Sequence, residues 1–77
     1  MNVLQLKEAT QDYVVYLYQP NGEGTFGEIK TEIGGEPEII SRAGTDETGS
    51  YARKACAKVK EFIDKKNLSM RYTQAWY

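Results

Sequence analysis

The 77-residue chain has no histidine, a single cysteine and no apolar run near the ~20 residues of a membrane-spanning helix. Without histidine, a Ser–His–Asp triad and the usual Cys/His zinc ligands are excluded, and one cysteine cannot build a disulfide framework. The first residues lack the basic start and long apolar stretch of a signal peptide. We therefore expect a cytoplasmic protein with no cofactor, no metal and no membrane association.

Hydrophobic residues make up 40% of the chain and charged residues 27%, which is typical of a small soluble domain and not of a disordered segment. A chain of this length buries little apolar surface beyond what folding itself requires. We expect one domain over residues 1–77, without room for a deep catalytic cleft.

The clearest strand signal is residues 13–18, Tyr-Val-Val-Tyr-Leu-Tyr, because β-branched and aromatic side chains favour a pleated surface. Further strands are predicted at residues 3–8, 25–33, 38–43 and 69–76. The first of these also fits a short helix. Gly34-Gly35 predicts a hairpin turn between the third and fourth strands.

One helix is predicted between the fourth and fifth strands, with Asn67 suited to end it in a left-handed conformation. Its apolar residues recur at spacings of three and four and so share one face, as Ala52, Ala55, Cys56, Val59, Phe62 and Ile63. The sum is an α+β fold, β-β-β-β-α-β, with a mostly antiparallel sheet in the order 5-1-2-3-4. The helix covers one face of this sheet and leaves the other open.

The tyrosine-rich strand suggests a function. If Val15 and Leu17 face the helix, the side chains of Val14, Tyr16 and Tyr18 face outward on the open side of the sheet. Tyrosine is enriched at interfaces because it combines an apolar body with a polar tip. The leading hypothesis is a non-enzymatic protein–protein interaction module that binds another protein or a second copy through Val14, Tyr16, Tyr18 and Tyr77. In size and charge such a module is similar to phage and mobile-element inhibitors or adaptors. Tyrosines of a central strand whose hydroxyls only reach solvent would give the same pattern.

Charge is segregated along the chain. Residues 1–48 carry nine acids and three bases, whereas residues 49–77 carry seven bases and two acids. The helix therefore has a basic face, which would suit an acidic partner or a nucleic-acid backbone, formed by Arg53, Lys54, Lys58 and Lys65. Solvated lysine stems along the edge of the core would produce the same pattern.

Residues 25–57 resemble the later part of a double-stranded-RNA-binding domain. The shared features are a hairpin with a Gly-Gly turn, a polar loop and the Ala-rich basic helix sequence Ala-Arg-Lys-Ala-Cys-Ala at 52–57. The resemblance implies nucleic-acid binding through basic residues at the helix start. Arg53 matches one of those positions, while Gly49 and Ser50 occupy the others. Nucleic acid is thus the alternative partner.

No motif predicts an enzyme. Residues 22–27 read Gly-x-Gly-x-x-Gly and resemble the glycine-rich loop of protein kinases, but the kinase His-Arg-Asp and Asp-Phe-Gly motifs are missing. We interpret these residues as a hairpin loop. Cys56 lies on the apolar helix face, where cysteine behaves as a small buried hydrophobe. Glu28 and Glu32 are ~13 Å apart along one strand, which is too far for a paired acid/base site.

Overall fold

A computed structural model describes residues 1–75 of the chain. Its elements are β1 (Asn2–Ala9), β2 (Tyr13–Pro20), β3 (Gly27–Glu32), β4 (Pro37–Ser41), α1 (Ser50–Asp64) and β5 (Arg71–Gln74). The strands form one antiparallel sheet in the order β4-β3-β2-β1-β5, and α1 packs on one face. The predicted fold class, element order and strand order are confirmed. The predicted end of the last strand, at Trp76, lies outside the described residues.

The core lies between α1 and the sheet. The predicted apolar face of the helix is confirmed, with four of its residues buried, namely Ala52, Ala55, Val59 and Phe62. The ring of Phe62 lies between two aromatic rings of the sheet, with centroids 5.8 Å from Tyr16 and 5.3 Å from Tyr72. Tilted and edge-on contacts of this kind contribute beyond the area they bury.

The predicted orientation of β2 is wrong. Val14, Tyr16 and Tyr18 lie beneath α1 in the core, and both tyrosines are 0% exposed. The physical reason is volume: α1 presents small side chains such as Ala52 and Ala55 to the sheet, and close packing requires large side chains opposite them. Both hydroxyls also find partners inside the protein. Tyr77, the fourth residue of the predicted binding face, lies outside the described residues.

A carboxylate from the preceding loop accepts hydrogen bonds from backbone N–H groups at the start of α1. The N-cap residue is Gly49, with φ of 79°, and glycine has no side chain to accept the first helix amides. Asp46 takes this role from three residues earlier, accepting hydrogen bonds from the backbone N–H of Ala52 at 3.0 Å and of Tyr51 at 3.3 Å. A carboxylate is favoured here because the helix dipole is positive at its N-terminus.

The same carboxylate joins the helix start to β2. Tyr18 Oη donates to Asp46 Oδ2 at 2.7 Å and accepts from the backbone N–H of Ala43 at 3.0 Å. Burial opposes ionisation of Asp46, but the hydrogen bonds from Tyr18 and the helix amides outweigh it, so the pKa of Asp46 is lowered. Burial, together with the negative charge of Asp46, raises the pKa of Tyr18 to about 12. The Tyr18 ring lies against Gly27, the residue opposite it on β3. A Cβ atom at that position would collide with the ring.

The left-handed residue that follows the helix lies one position earlier than predicted. Lys66, with φ of 54°, adopts the left-handed conformation that was expected of Asn67. The backbone N–H of Asn67 then donates to the carbonyl of Phe62 at 2.9 Å, and that of Lys66 to Ile63 at 3.0 Å. This pattern closes the last turn, and Leu68 packs against the core just beyond it.

Candidate functional site

The open face of the sheet, opposite α1, does not carry Val14, Tyr16 or Tyr18, which lie in the core. Its centre consists of Val3, Val15 and Leu17, of which Val3 and Val15 are buried although no helix covers them. Long polar side chains shield this strip. Lys7 Nζ on β1 lies 2.8 Å from Glu28 Oε1 on β3, so the ion pair crosses over β2, which lies between them.

Further polar contacts cover the same face towards the start of β2. The Lys30 ammonium lies 4.3 Å from the centroid of the Tyr13 ring, and the Tyr13 hydroxyl donates to Glu8 at 3.0 Å. The hydrogen bond to Glu28 raises the pKa of Lys7, which keeps this group cationic. The open face is therefore a layer of paired charges over a narrow apolar strip, and it offers no wide apolar surface.

The basic side chains predicted on α1 do lie on that helix, but an acid lies among them. Glu61 accepts from Lys65 at 2.9 Å and from Lys58 at 3.0 Å, and these two lysines lower the pKa of Glu61. Lys58 also lies over the Tyr72 ring, 5.3 Å from its centroid. Arg53 donates to the backbone carbonyl of Thr48 at 3.3 Å.

The carbonyl of the remaining predicted residue, Lys54, accepts from Gln74 at 3.0 Å, which ties the middle of α1 to β5. Two of the four predicted bases thus share one carboxylate. This sharing reduces the positive potential that the predicted face would present to a phosphate backbone.

The other sequence motifs have structural roles. The glycine-rich segment forms the loop between β2 and β3, in which the amides of Gly22 and Glu23 donate back to Gln19 and Pro20. Cys56 is half-buried against the core, and burial raises the pKa of its thiol. Within residues 1–75, no group of three or more His, Cys, Asp or Glu side chains could hold a metal ion. Nor is any helix in that range long and apolar enough to cross a membrane.

A small apolar cavity lies at the end of the molecule where α1 stops. Its volume is about 350 Å³, and it is lined by Thr10, Gln11, Ile33, Ile63, Lys66 and Leu68. This volume is at the lower limit of ligand pockets. The cavity is open to solvent, and Ile33 on its wall is 48% exposed.

Exposed isoleucines are concentrated around β4. Ile39 is 40% exposed and Ile40 is 48% exposed, and both lie in this five-residue strand at the edge of the sheet. Within the described chain, β4 pairs only with β3. We call the side of residues 37–41 that is turned away from β3 the β4 edge.

The direction of the backbone groups at the β4 edge follows from the hydrogen bonds of β3. The N–H of Ile33 donates to the carbonyl of Asp12 at 2.8 Å, so the backbone polar groups of Ile33 point to the β2 side. Because these groups alternate in direction along a strand, those of Lys30 point to β4. Glu38 lies opposite Lys30, and its groups therefore point to β3. The N–H and C=O of the next residue, Ile39, point outward at the β4 edge.

Sequence reasoning treated β4 only as a hairpin partner, although one signal was present. Two consecutive isoleucines cannot both face the core of a regular strand, because side chains alternate between the two faces. The structure resolves the conflict with a register shift in the pairing of β3 with β4, where Glu28 pairs with Ser41 and Ile29 with Ile39. Ile40 is the extra residue of this bulge.

Comparisons with protein families, with curated proteins and with solved structures found no match to this chain.

Proposed function

We propose that the chain is a non-enzymatic protein–protein interaction module that binds its partner by strand pairing at the β4 edge. The observation that carries this proposal is that Ile39 presents both an outward backbone N–H and C=O and a side chain that is 40% exposed. An added strand would hydrogen-bond to these groups and cover the isoleucines.

The β4 edge differs from the edges that proteins protect most strongly. Protected edge strands commonly carry lysine, which blocks the approach of another strand. Here the strand has one charged residue, Glu38, whose backbone groups point to β3, and its backbone is protected by Pro37 at the start of the strand and by the bulge at Ile40. These two features shorten the segment that can pair, which favours a specific contact over open-ended stacking.

Binding of nucleic acid through Arg53, Lys54, Lys58 and Lys65 is the less favoured proposal, because Glu61 pairs with two of these residues. We place the module in the cytoplasm on account of its lone cysteine, which fits a reducing compartment.

The experiment compares three forms of the tagged chain as baits in a lysate of the native host: wild type, Ile39→Lys and Ile33→Lys. Ile39→Lys places a charged side chain on the β4 edge, whereas Ile33→Lys is the matched control at an exposed isoleucine outside β4. Retained proteins are quantified by mass spectrometry, and any that depends on Ile39 is purified and its affinity measured directly.

We expect at least one protein to bind wild type and the Ile33→Lys control alike, and to bind the Ile39→Lys variant about tenfold or more weakly. Equal binding by the two variants, or loss with Ile33→Lys alone, would contradict the proposal. The latter result would instead implicate the cavity at the end of α1. Absence of any retained protein would also count against it, unless the purified chain associates with itself.

A further inference from the structure

We infer that the strand which pairs with the β4 edge belongs to a second copy of this chain, in an antiparallel dimer centred on Ile39. The inference rests on the proposed function and names its partner. In a two-fold antiparallel pair, one residue lies opposite itself, and the pair gains two hydrogen bonds at its centre when the N–H and C=O of that residue point outward to their symmetry mates. Ile39 meets this requirement because its backbone groups point outward, whereas those of Glu38 point to β3.

The charges along β4 favour this orientation. Glu36 precedes the strand, Glu38 is its second residue, and Arg42 follows its end. An antiparallel second copy brings the acidic beginning of each strand to the basic end of the other. A parallel copy would place like charges together, which is unfavourable in adjacent strands. A pair centred on Glu38 would oppose two carboxylates directly.

Two of these charges lie on the α1 side of the sheet. Glu36 Oε1 is 3.7 Å from Lys60 Nζ on α1, and Arg42 donates to the carbonyl of Glu47 at 2.9 Å, close to the helix start. In the dimer, Glu36 of each copy therefore lies near Arg42 of the other on the same side. The side chains of Ile39 and its symmetry mate lie between these two charge pairs.

This contact limits the assembly to two copies. A β4–β4 contact uses the same surface on both chains, so pairing consumes both β4 edges and leaves none for a third copy. The segment that pairs is shorter than the five residues of β4, because Pro37 has no backbone N–H and the bulge at Ile40 interrupts the strand after Ile39. An interface of this size lies at the small end of specific contacts, so we expect a weak dimer with a dissociation constant above about 1 µM.

The test is sedimentation velocity of the purified chain from about 10 µM to about 1 mM, where a weak dimer changes from minor to major species. The variants are Glu36→Arg, Arg42→Glu and the double exchange that carries both substitutions. Glu23→Arg, in the exposed loop between β2 and β3, is the control for a charge reversal that does not flank β4. Thermal melting of every variant verifies that it is folded.

We expect wild type and Glu23→Arg to form the same dimer, each single reversal to weaken it by about tenfold, and the double exchange to restore it. Restoration excludes a loss caused by misfolding, because the double exchange changes more of the sequence flanking β4 than either single change does. A wild type that stays monomeric to about 1 mM, or species that grow beyond two copies, would overturn the inference. If the chain is monomeric while capture from lysate still depends on Ile39, the partner is a different protein and only the proposed function stands.

Discussion

The hydroxyl of Tyr18 gives the sharpest stability test of the fold. It donates to Asp46 at 2.7 Å and accepts from the Ala43 amide at 3.0 Å, and both partners are buried. Tyr18→Phe keeps the ring and removes both hydrogen bonds. A buried amide without a partner costs about 1–3 kcal/mol, and loss of a hydrogen bond to a charged group about 1.5–3 kcal/mol. We therefore expect a loss of about 3 kcal/mol or more in the free energy of unfolding.

A domain of this length has a total stability of roughly 4–12 kcal/mol, so the variant should lose between about a quarter and three quarters of it. Urea denaturation measures the loss, and the melting temperature should fall by about 12 °C or more. Tyr13→Phe is the matched control, because its hydroxyl donates to Glu8 on the exposed face at 3.0 Å. The control should lose less than about 0.5 kcal/mol. If both variants have the same stability, the buried network does not stabilise the fold as described.

Two further predictions concern the same region. Gly27→Ala should lose about 1–3 kcal/mol in urea denaturation, because its Cβ would collide with the Tyr18 ring and lie 2.7 Å from the Ala43 nitrogen. A variant as stable as wild type would mean that this ring does not lie on the glycine. Stability should also fall at both pH extremes. The lowered pKa of Asp46 stabilises the fold above its usual value of 3.8, and this contribution is lost as pH falls through the lowered pKa. The pKa of Tyr18, raised from 10.0 to about 12, stabilises the fold below pH 10, and this contribution is lost as pH rises towards about 12. Asp46→Asn should remove the part of the acid-side loss that Asp46 contributes, which melting curves between pH 2 and pH 7 would measure.

The order of the elements could be predicted from the sequence because burial imposes a period on the chain. Alternation along β3 and the spacings of three and four along α1 each identify one buried face, and both faces are found in the core. The face of β2 could not be predicted in this way. Apolar or aromatic residues occupy both its even-numbered and its odd-numbered positions. Alternation along the strand therefore does not show whether Tyr16 or Leu17 faces the core. The choice depends on the volume left by the alanines of α1, which is a tertiary property.

The place of the candidate site could not be predicted from the sequence. The expectation of a protein-binding surface rested on tyrosines that lie in the core, while the β4 edge depends on which strand is last in the sheet and on the direction of the Ile39 amide. Neither follows from composition. The role of Asp46 was equally hidden, because Tyr18, its partner through a hydrogen bond, lies 28 residues away in the sequence.

Hydrogen exchange of the Ile39 amide, followed by NMR over a range of protein concentrations, tests the central claim most directly. In dilute protein this amide points to solvent and should exchange much faster than the amide of Glu38, which points to β3. At concentrations where the dimer predominates, exchange at Ile39 should slow in proportion to the dimer fraction, with little change at Glu38. An Ile39 amide that exchanges as fast at about 1 mM as in dilute solution, or that is protected at every concentration, would contradict strand pairing between copies at the β4 edge.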